Sequence, residues 1–193
     1  MAEIRSTLDM VLERAAKMAE EAPEASDSEE LVKKGMRLAA EFLAQDSGDI
    51  AEVLSSQPKT DQVALRKGMA KTLLRNIVLP RDEDLVKSSR LAISGVLALA
   101  GKSGEIKAIC GELDQILQQY GQHKEQMTQQ LNEAIKAQLS QQLMAEGRGD
   151  VENIDPRMHP QYREEVEKML TNLNGQYNDA MDQRKQSILE RLS

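Results

Sequence analysis

A long stretch without proline, from Ser103 to Glu146, constrains the fold of this chain more than any other feature. It begins beside the most apolar part of the sequence and continues into a segment rich in glutamine and charged residues. As a single helix it would extend about 60 Å at 1.5 Å per residue. We therefore expect one long helix, with a compact helical body before it and a returning helix after it.

The composition predicts an all-α fold. The chain of 193 residues has no tryptophan, one phenylalanine and three tyrosines. It is rich in Leu, Met, Ala, Gln, Glu and Lys, which lose little side-chain freedom in a helix. No run rich in Val, Ile and Thr alternates apolar and polar residues as a strand would. The predicted architecture is a compact N-terminal helical bundle followed by a long antiparallel two-helix arm of coiled-coil type.

Residues 1–111 are predicted to form the bundle. Its first helix covers Glu3 to Glu21 and ends before Pro23, because proline disfavours a helical conformation in the preceding residue. The acidic segment Glu20 to Glu30 is predicted to be a solvated linker. Later helices begin near Ser26 or Ser28, at Thr60 or Asp61, and at Asp82, where short polar side chains can cap a helix. The stretch Leu91 to Ala100 is apolar almost all round, so we expect it at the centre of the bundle.

Two internal sequence matches compete within the bundle. One pairs residues 31–54 with residues 85–110 and would make them a duplicated helical hairpin, although its offset drifts from 54 to 56 residues. The other pairs Lys34-Gly35-Met36 with Lys67-Gly68-Met69 at an offset of 33 residues. Helical sequences share a small alphabet of residues, so the sequence leaves both matches open.

Residues 112–193 are predicted to form the arm, whose two helices are joined by a connector over residues 147–160. Asn174-Gly175 is a turn signal in the second helix, and we expect one helix with a local distortion there. Apolar residues recur at a spacing typical of a coiled-coil seam. The predicted seam consists of Leu113, Leu117, Tyr120, Met127, Leu131, Ile135, Val166, Leu170, Leu173 and Tyr177. Two helices alone bury one seam, so we expect the arm to pack against a second chain, the bundle or a client protein. A homodimer is the commonest of these outcomes.

Gly101-Lys102-Ser103 is the nearest approach to a catalytic motif. A phosphate-binding loop requires a glycine five residues before Gly101, but that position is Val96 and the nearby glycine is Gly95. Such a loop also follows a strand, whereas this segment is predicted to be helical. We therefore interpret the glycine as the end of one helix and the serine as the cap of the next.

Residues that could bind a metal or act as a nucleophile are few and separated. His123 lies on the arm and His159 in the connector, and about 35 Å of helix separates them. The single cysteine, Cys110, lies among apolar residues and is predicted to be a buried, unreactive thiol. The sequence therefore indicates no cofactor, no metal site and no small-molecule substrate, and predicts a protein that is not an enzyme.

A basic stripe, defined as Arg66, Lys67, Lys71 and Arg75, lies on the third predicted helix. Its members can form a solvated face, neutralised by the acidic segment, or a surface for an acidic partner or a nucleic-acid backbone. The net charge of −7 argues against a dedicated nucleic-acid-binding protein.

The sequence also predicts where the chain resides. Its first residues carry charges too closely spaced for a secretory signal, and the run Leu91 to Ala100 is half the ~20 residues that span a bilayer. The opening residues, Met-Ala-Glu-Ile-Arg-Ser-Thr-Leu-Asp-Met-Val-Leu-Glu-Arg at positions 1–14, resemble the N-terminus of an uncharacterised bacterial family of small helical proteins. The resemblance implies a bacterial, cytoplasmic protein and no particular activity.

These features favour a non-enzymatic adaptor or scaffold that self-associates through amphipathic helices and binds a protein partner. One alternative is a chaperone-like protein that holds clients with the arm. Another is a regulator that binds nucleic acid or an acidic partner through the basic stripe. We expect no membrane association, and the net charge disfavours nucleic acid.

Overall fold

The computed structural model describes residues 28–44, 48–147 and 155–192. Within these ranges the chain is mostly helical and contains no strand, which confirms the predicted all-α fold. Residues 28–44 are helical and are called α1. The other elements are α2 (Ile50–Ser55), α3 (Gln62–Arg75), α4 (Glu83–Ala100), α5 (Gly104–Ala145), a 3-10 turn (Pro156–Met158) and α6 (Tyr162–Leu192).

The ends of α4 follow the sequence signals. The backbone N–H of Leu85 donates to Asp82 Oδ1 at 2.9 Å, so Asp82 caps the start of the helix. Gly101 follows the last residue of the helix with a φ of +58°, a conformation that favours glycine at a helix end. Gly101-Lys102-Ser103 is therefore a boundary between two helices, as predicted, and α5 begins at Gly104.

The two longest helices are continuous. Helix α5 runs unbroken from Gly104 to Ala145, which confirms the expected long helix. Helix α6 continues through Asn174-Gly175, because one glycine inside a helix costs only about 1 kcal/mol. The predicted first helix, Glu3 to Glu21, and half of the connector over 147–160 lie outside the described residues. No described helix has the length and apolar character needed to cross a membrane.

The chain divides into two compact units. Among the described residues, the first unit comprises 28–44, 48–76, 91–103 and 188–192, and the second comprises 77–90, 104–147 and 155–187. Both units combine parts of the chain that are not consecutive, since α4 contributes its first half to the second unit and the remainder to the first. The division into a bundle over 1–111 and an arm over 112–193 stays a prediction.

Helices α3 and α4 supply much of the core of the first unit. The buried residues of α3 include Leu65, Met69, Ala70 and Leu73, and those of α4 include Ala92, Ile93, Val96 and Leu99. At Gly95 the helices approach closely, because an added Cβ would lie 2.9 Å from Leu73 Cδ2 and 3.0 Å from Phe42 Cε1. The apolar part of α4 therefore packs against both α1 and α3.

Helices α1 and α3 cross with their backbones in contact at two glycines. A Cβ on Gly35 would overlap the carbonyl oxygen of Leu65, and a Cβ on Gly68 would overlap the carbonyl oxygen of Val32. Without these Cβ atoms, each helix lies directly against peptide groups of the other, the arrangement in which Cα–H···O contacts form. Any larger residue at either position would push the helices apart.

The two glycine contacts are reciprocal. Gly35 and Gly68 are 33 residues apart, and so are their contact residues Val32 and Leu65. Exchanging α1 with α3 therefore turns one contact into the other, as an approximate two-fold axis would. Lys34-Gly35-Met36 and Lys67-Gly68-Met69 thus occupy equivalent positions on the two helices, whereas the duplication of 31–54 with 85–110 stays a prediction.

Helices α5 and α6 run antiparallel in the second unit. The hydroxyl of Tyr120 donates to Asn174 Oδ1 at 2.8 Å, and the hydroxyl of Tyr162 donates to Asn132 Oδ1 at 3.0 Å. As residue numbers rise along α5, those of their partners on α6 fall. These hydrogen bonds fix the register of one helix against the other.

Candidate functional site

The predicted seam residues of α5 and α6 fall into two groups by exposure. The buried group consists of Leu113, Leu117, Tyr120, Ile135 and Leu173. The half-buried group consists of Met127, Leu131, Val166, Leu170 and Tyr177. Near the end of α5, Met144 is 64% exposed. The described helices therefore leave part of their apolar stripe at the surface.

A cluster of aromatic and polar side chains joins the two helices where the seam is buried. The ring of Tyr120 meets that of Tyr177 edge-on, with centroids 5.4 Å apart and planes at 72°. The hydroxyl of Tyr177 lies 3.3 Å from Nδ1 of His123. Burial raises the pKa of Tyr120, and the nearby charge of Arg81 partly opposes this effect. At neutral pH, Tyr120 is thus a neutral hydrogen-bond donor that positions α6.

Two grooves lie beside the half-buried seam residues. The Met127 groove has a volume of about 400 Å³ and is lined by Met127, Gln130, Leu131, Glu165, Lys168, Met169 and Asn172. The Val166 groove is open and larger, about 920 Å³, and its lining includes Met158, Pro160, Tyr162, Val166, Leu170 and Asn174. Met158 is 80% exposed at this groove. Both grooves combine apolar side chains with a polar rim, which is typical of protein–protein contact surfaces.

The basic stripe on α3 is only partly a surface feature. Lys67, Lys71 and Arg75 are exposed, whereas Arg66 is half-buried. Its Nε is buried and forms no hydrogen bond within the described part of the chain. The structure therefore brings Lys67, Lys71 and Arg75 to one accessible helix face. Most of the acidic segment that was expected to neutralise them lies outside the described residues.

Helix α1 carries further basic residues that sequence reasoning missed. They line an open concave surface of about 800 Å³, whose lining consists of Glu30, Leu31, Lys33, Lys34, Met36, Arg37 and Asp61. Lys34 Nζ donates to Gln57 Oε1 at 2.8 Å. The match between the two Lys-Gly-Met sequences was the available signal, because Lys34 and Lys67 occupy equivalent positions on the crossing helices.

Cys110 and His159, which the sequence offered as a possible nucleophile and a possible metal ligand, contribute to packing and to a local hydrogen bond. Cys110 is 1% exposed, as predicted, and burial raises the pKa of its thiol to about 11, so the thiol stays protonated and unreactive at neutral pH. His159 Nδ1 accepts the backbone N–H of Gln161 at 3.2 Å. In the ranges that the structure covers, no group of three or more His, Cys, Asp or Glu side chains is placed to hold a metal ion.

Comparison with known proteins points to a protein family. A family model described as a family of unknown function (DUF6657) matches residues 51–190, almost three quarters of the chain. No curated protein and no solved structure matches the chain. The match includes the basic stripe and both grooves but not residues 1–14. The expectation of an uncharacterised family is confirmed, although by a different part of the sequence.

Proposed function

Since the chain belongs to this family of unknown function, we propose its function from its own surfaces. It is a non-enzymatic cytoplasmic scaffold that self-associates through α5 and α6 and binds protein partners. The aromatic and polar cluster fixes the register of the two helices. The grooves beside it supply the contact surface.

The incomplete burial of the α5–α6 seam is the observation that supports this proposal. Met127, Leu131, Val166 and Leu170 are half-buried, although a complete coiled-coil seam would bury such positions. Complete burial of an apolar side chain of this size contributes about 1.5–3 kcal/mol. A partner that covers these residues would therefore gain a substantial part of its binding free energy from them.

A second copy of the chain is the occupant that the Met127 groove favours. Glu165 and Lys168 lie three residues apart on α6, so one acidic and one basic side chain line the same groove. In a two-fold symmetric contact a surface meets its own copy, and Glu165 of one protomer can then pair with Lys168 of its partner. Met127 and Met169 have flexible side chains that adapt to an apolar surface.

Sedimentation of the full chain at increasing concentration tests the proposal. We expect a species of twice the monomer mass of 21.5 kDa at concentrations of about 1–100 μM. Leu131→Glu introduces a charge into the Met127 groove, so it should shift the equilibrium to the monomer. Gln138→Glu makes a charge change at an exposed position of the same helix and should leave the dimer intact.

Each of the other outcomes has a definite meaning. A monomer at every concentration would refute self-association. A dimer that persists in Leu131→Glu would exclude the Met127 groove as the interface. If a monomeric chain suppresses the aggregation of a denatured test protein, the client-holding alternative is favoured instead.

Binding of an acidic partner is a second candidate function, favoured by the exposure of Lys67, Lys71 and Arg75 on one face of α3. A pull-down from the native host at low salt should enrich acidic proteins, and capture should fall steeply as salt is raised, because exposed charges are screened. Charge reversal at Lys71 and Arg75 should abolish capture. Retention of nucleic acid instead of protein would favour the regulator alternative.

A further inference from the structure

The second unit contains a cavity that includes none of the predicted basic-stripe residues and only one predicted seam residue, Leu117. Its volume is about 230 Å³. It is lined by Pro80, Val86, Ser89 and Arg90 from the segment 77–90, and by Asp114, Leu117, Gln118 and Gly121 from α5. The α5 residues follow helical spacing and share one face of that helix.

Ser89 holds the wall of the cavity in place. Its side chain is fully buried, and its hydroxyl donates to the carbonyl of Val78 and accepts the N–H of Val78, both at 3.2 Å. These bonds fix the backbone two residues before Pro80, whose ring restricts φ further. These hydrogen bonds therefore hold one wall of the cavity in a single geometry.

The polar residues of the cavity have spare hydrogen-bond donors. Asp114 Oδ2 accepts from Gln118 Nε2 at 2.6 Å. Asp114 Oδ1 lies 3.7 Å from Arg90 Nε, which is an ion-pair distance but too long for a hydrogen bond. The Arg90 guanidinium carries five N–H groups and no acceptor, and its side chain is 59% exposed. An anion with two coplanar oxygens would satisfy these donors.

We propose that this cavity binds a small organic carboxylate with a compact apolar body. The apolar body lies against Pro80, Val86 and Leu117, and the carboxylate accepts hydrogen bonds from Arg90. An engineered apolar cavity of about 150 Å³ binds benzene, so about 230 Å³ accommodates one ring with its carboxylate. It is smaller than the ~300–1,000 Å³ of sites for larger ligands, which excludes nucleotides.

Gly121 provides a way to fill the cavity without disturbing its walls. Gly121 lines the cavity, and a Cβ at this position meets no atom within 4 Å, so a larger side chain at the edge of the cavity is accommodated without a clash. Gly111 is also an exposed glycine of α5 whose Cβ would meet no atom within 4 Å, but it does not line the cavity. Leucine at either position raises helix propensity equally, so Gly111→Leu is a matched control for Gly121→Leu.

Titration of the full chain with benzoate, benzyl alcohol and benzylamine, followed by NMR, tests the proposal. Benzoate should shift the amide signals of residues 114–121 saturably, with a dissociation constant of about 1 mM or below, as its few heavy atoms allow. Benzyl alcohol should bind about tenfold more weakly because it lacks the charge-assisted pairing with Arg90. Benzylamine should bind least.

The variants separate the cavity from the rest of the surface. Gly121→Leu should abolish the benzoate shifts, whereas Gly111→Leu should retain them. Arg90→Gln should weaken benzoate about tenfold and leave benzyl alcohol unchanged. The absence of saturable shifts with all three probes, equal binding by Gly121→Leu and Gly111→Leu, or a preference for benzylamine would each overturn the proposal. Because these shifts do not depend on self-association, their failure is distinguishable from failure of the scaffold proposal.

Discussion

At the α1–α3 crossing the backbones of two helices touch, whereas along part of α5 and α6 the helices meet through side chains that are half exposed. Gly35 and Gly68 leave no space for a single methyl group at the crossing. By contrast, Met127 and Leu170 lie at grooves that solvent enters. The first contact cannot vary without moving a helix, while the second can accept a partner without moving either helix.

This contrast separates residues that fix the fold from residues that are available for binding. Where the backbones of two helices touch, no side chain is buried between them, but the atoms pack closely. Close packing of this kind allows only one relative position of the two helices. Long flexible side chains in a groove allow several arrangements, because they can repack against different surfaces. Substitutions at the α1–α3 crossing should therefore reduce the stability of the fold, whereas substitutions in the grooves beside α5 and α6 should mainly affect association.

The largest expected effect is that of Gly68→Ala. The new methyl group would overlap the carbonyl oxygen of Val32, and backbone cannot yield as a side chain does. We expect a loss of at least about 3 kcal/mol in the free energy of unfolding, measured by urea denaturation followed by circular dichroism. Gly35→Ala should behave alike because the contacts are reciprocal.

Gly111→Ala serves as the control for this change. It places the same methyl group in open space on α5, so it should stabilise the chain by about 0.5–1 kcal/mol through helix propensity alone. A Gly68→Ala variant as stable as Gly111→Ala would show that the backbones of α1 and α3 do not touch.

Truncation of apolar side chains should give the next largest difference. Leu73 is fully buried in the first unit, so Leu73→Ala should cost about 2–5 kcal/mol. Leu170 is half-buried, and Leu170→Ala should cost less than about 1.5 kcal/mol in dilute solution. Urea denaturation at several protein concentrations measures both values. If Leu73→Ala and Leu170→Ala cost the same free energy in dilute solution, Leu170 is buried as completely as Leu73 without a partner.

The sequence alone predicted the main helices of the described residues but not the contacts between them. The absence of proline and the apolar spacing predicted α5, and Asp82 and Gly101 marked the ends of α4. These are local signals, which depend on backbone preferences over a few residues. The match between Lys34-Gly35-Met36 and Lys67-Gly68-Met69 was also present in the sequence. The sequence did not show, however, that these two helices cross at the matching glycines.

The candidate sites illustrate the same limit. The spacing of Lys67, Lys71 and Arg75 predicted one helix face, and the structure places all of them at the surface. The cavity beside Gly121 could not be predicted, because it forms only where residues 77–90 pack against α5. Ser89 and Gly121 are ordinary helix residues in sequence and acquire a role only through that tertiary contact.

Raising the pH should lower the free energy of unfolding, because the Cys110 thiol near the start of α5 is buried. Burial raises the pKa of Cys110 from 9.0 to about 11 in the folded chain. Below pH 9 the thiol is protonated in both states, and its contribution to stability is complete. As the pH rises through this interval, the unfolded chain loses its proton first, and stability falls by up to about 3 kcal/mol.

Comparison with Cys110→Ser isolates this contribution, because Tyr120 also has a raised pKa and titrates in both proteins. The difference in unfolding free energy between the two proteins should shrink from pH 9 to pH 11. A constant difference over this range would mean that the Cys110 thiol is accessible to water in the folded chain.

The smallest expected effects compare two hydroxyl groups that join α5 to α6. Tyr120 is 3% exposed, so Tyr120→Phe removes a buried donor from Asn174 Oδ1, which itself lines the Val166 groove, and should cost about 1 kcal/mol. Tyr162 is half-buried beside the Val166 groove, where water can replace its hydroxyl, and Tyr162→Phe should cost about 0.5 kcal/mol. Thermal unfolding of the two variants measures the difference. If Tyr162→Phe costs as much as Tyr120→Phe, the groove excludes water without a partner, and the distinction between a closed seam and an open binding surface is lost.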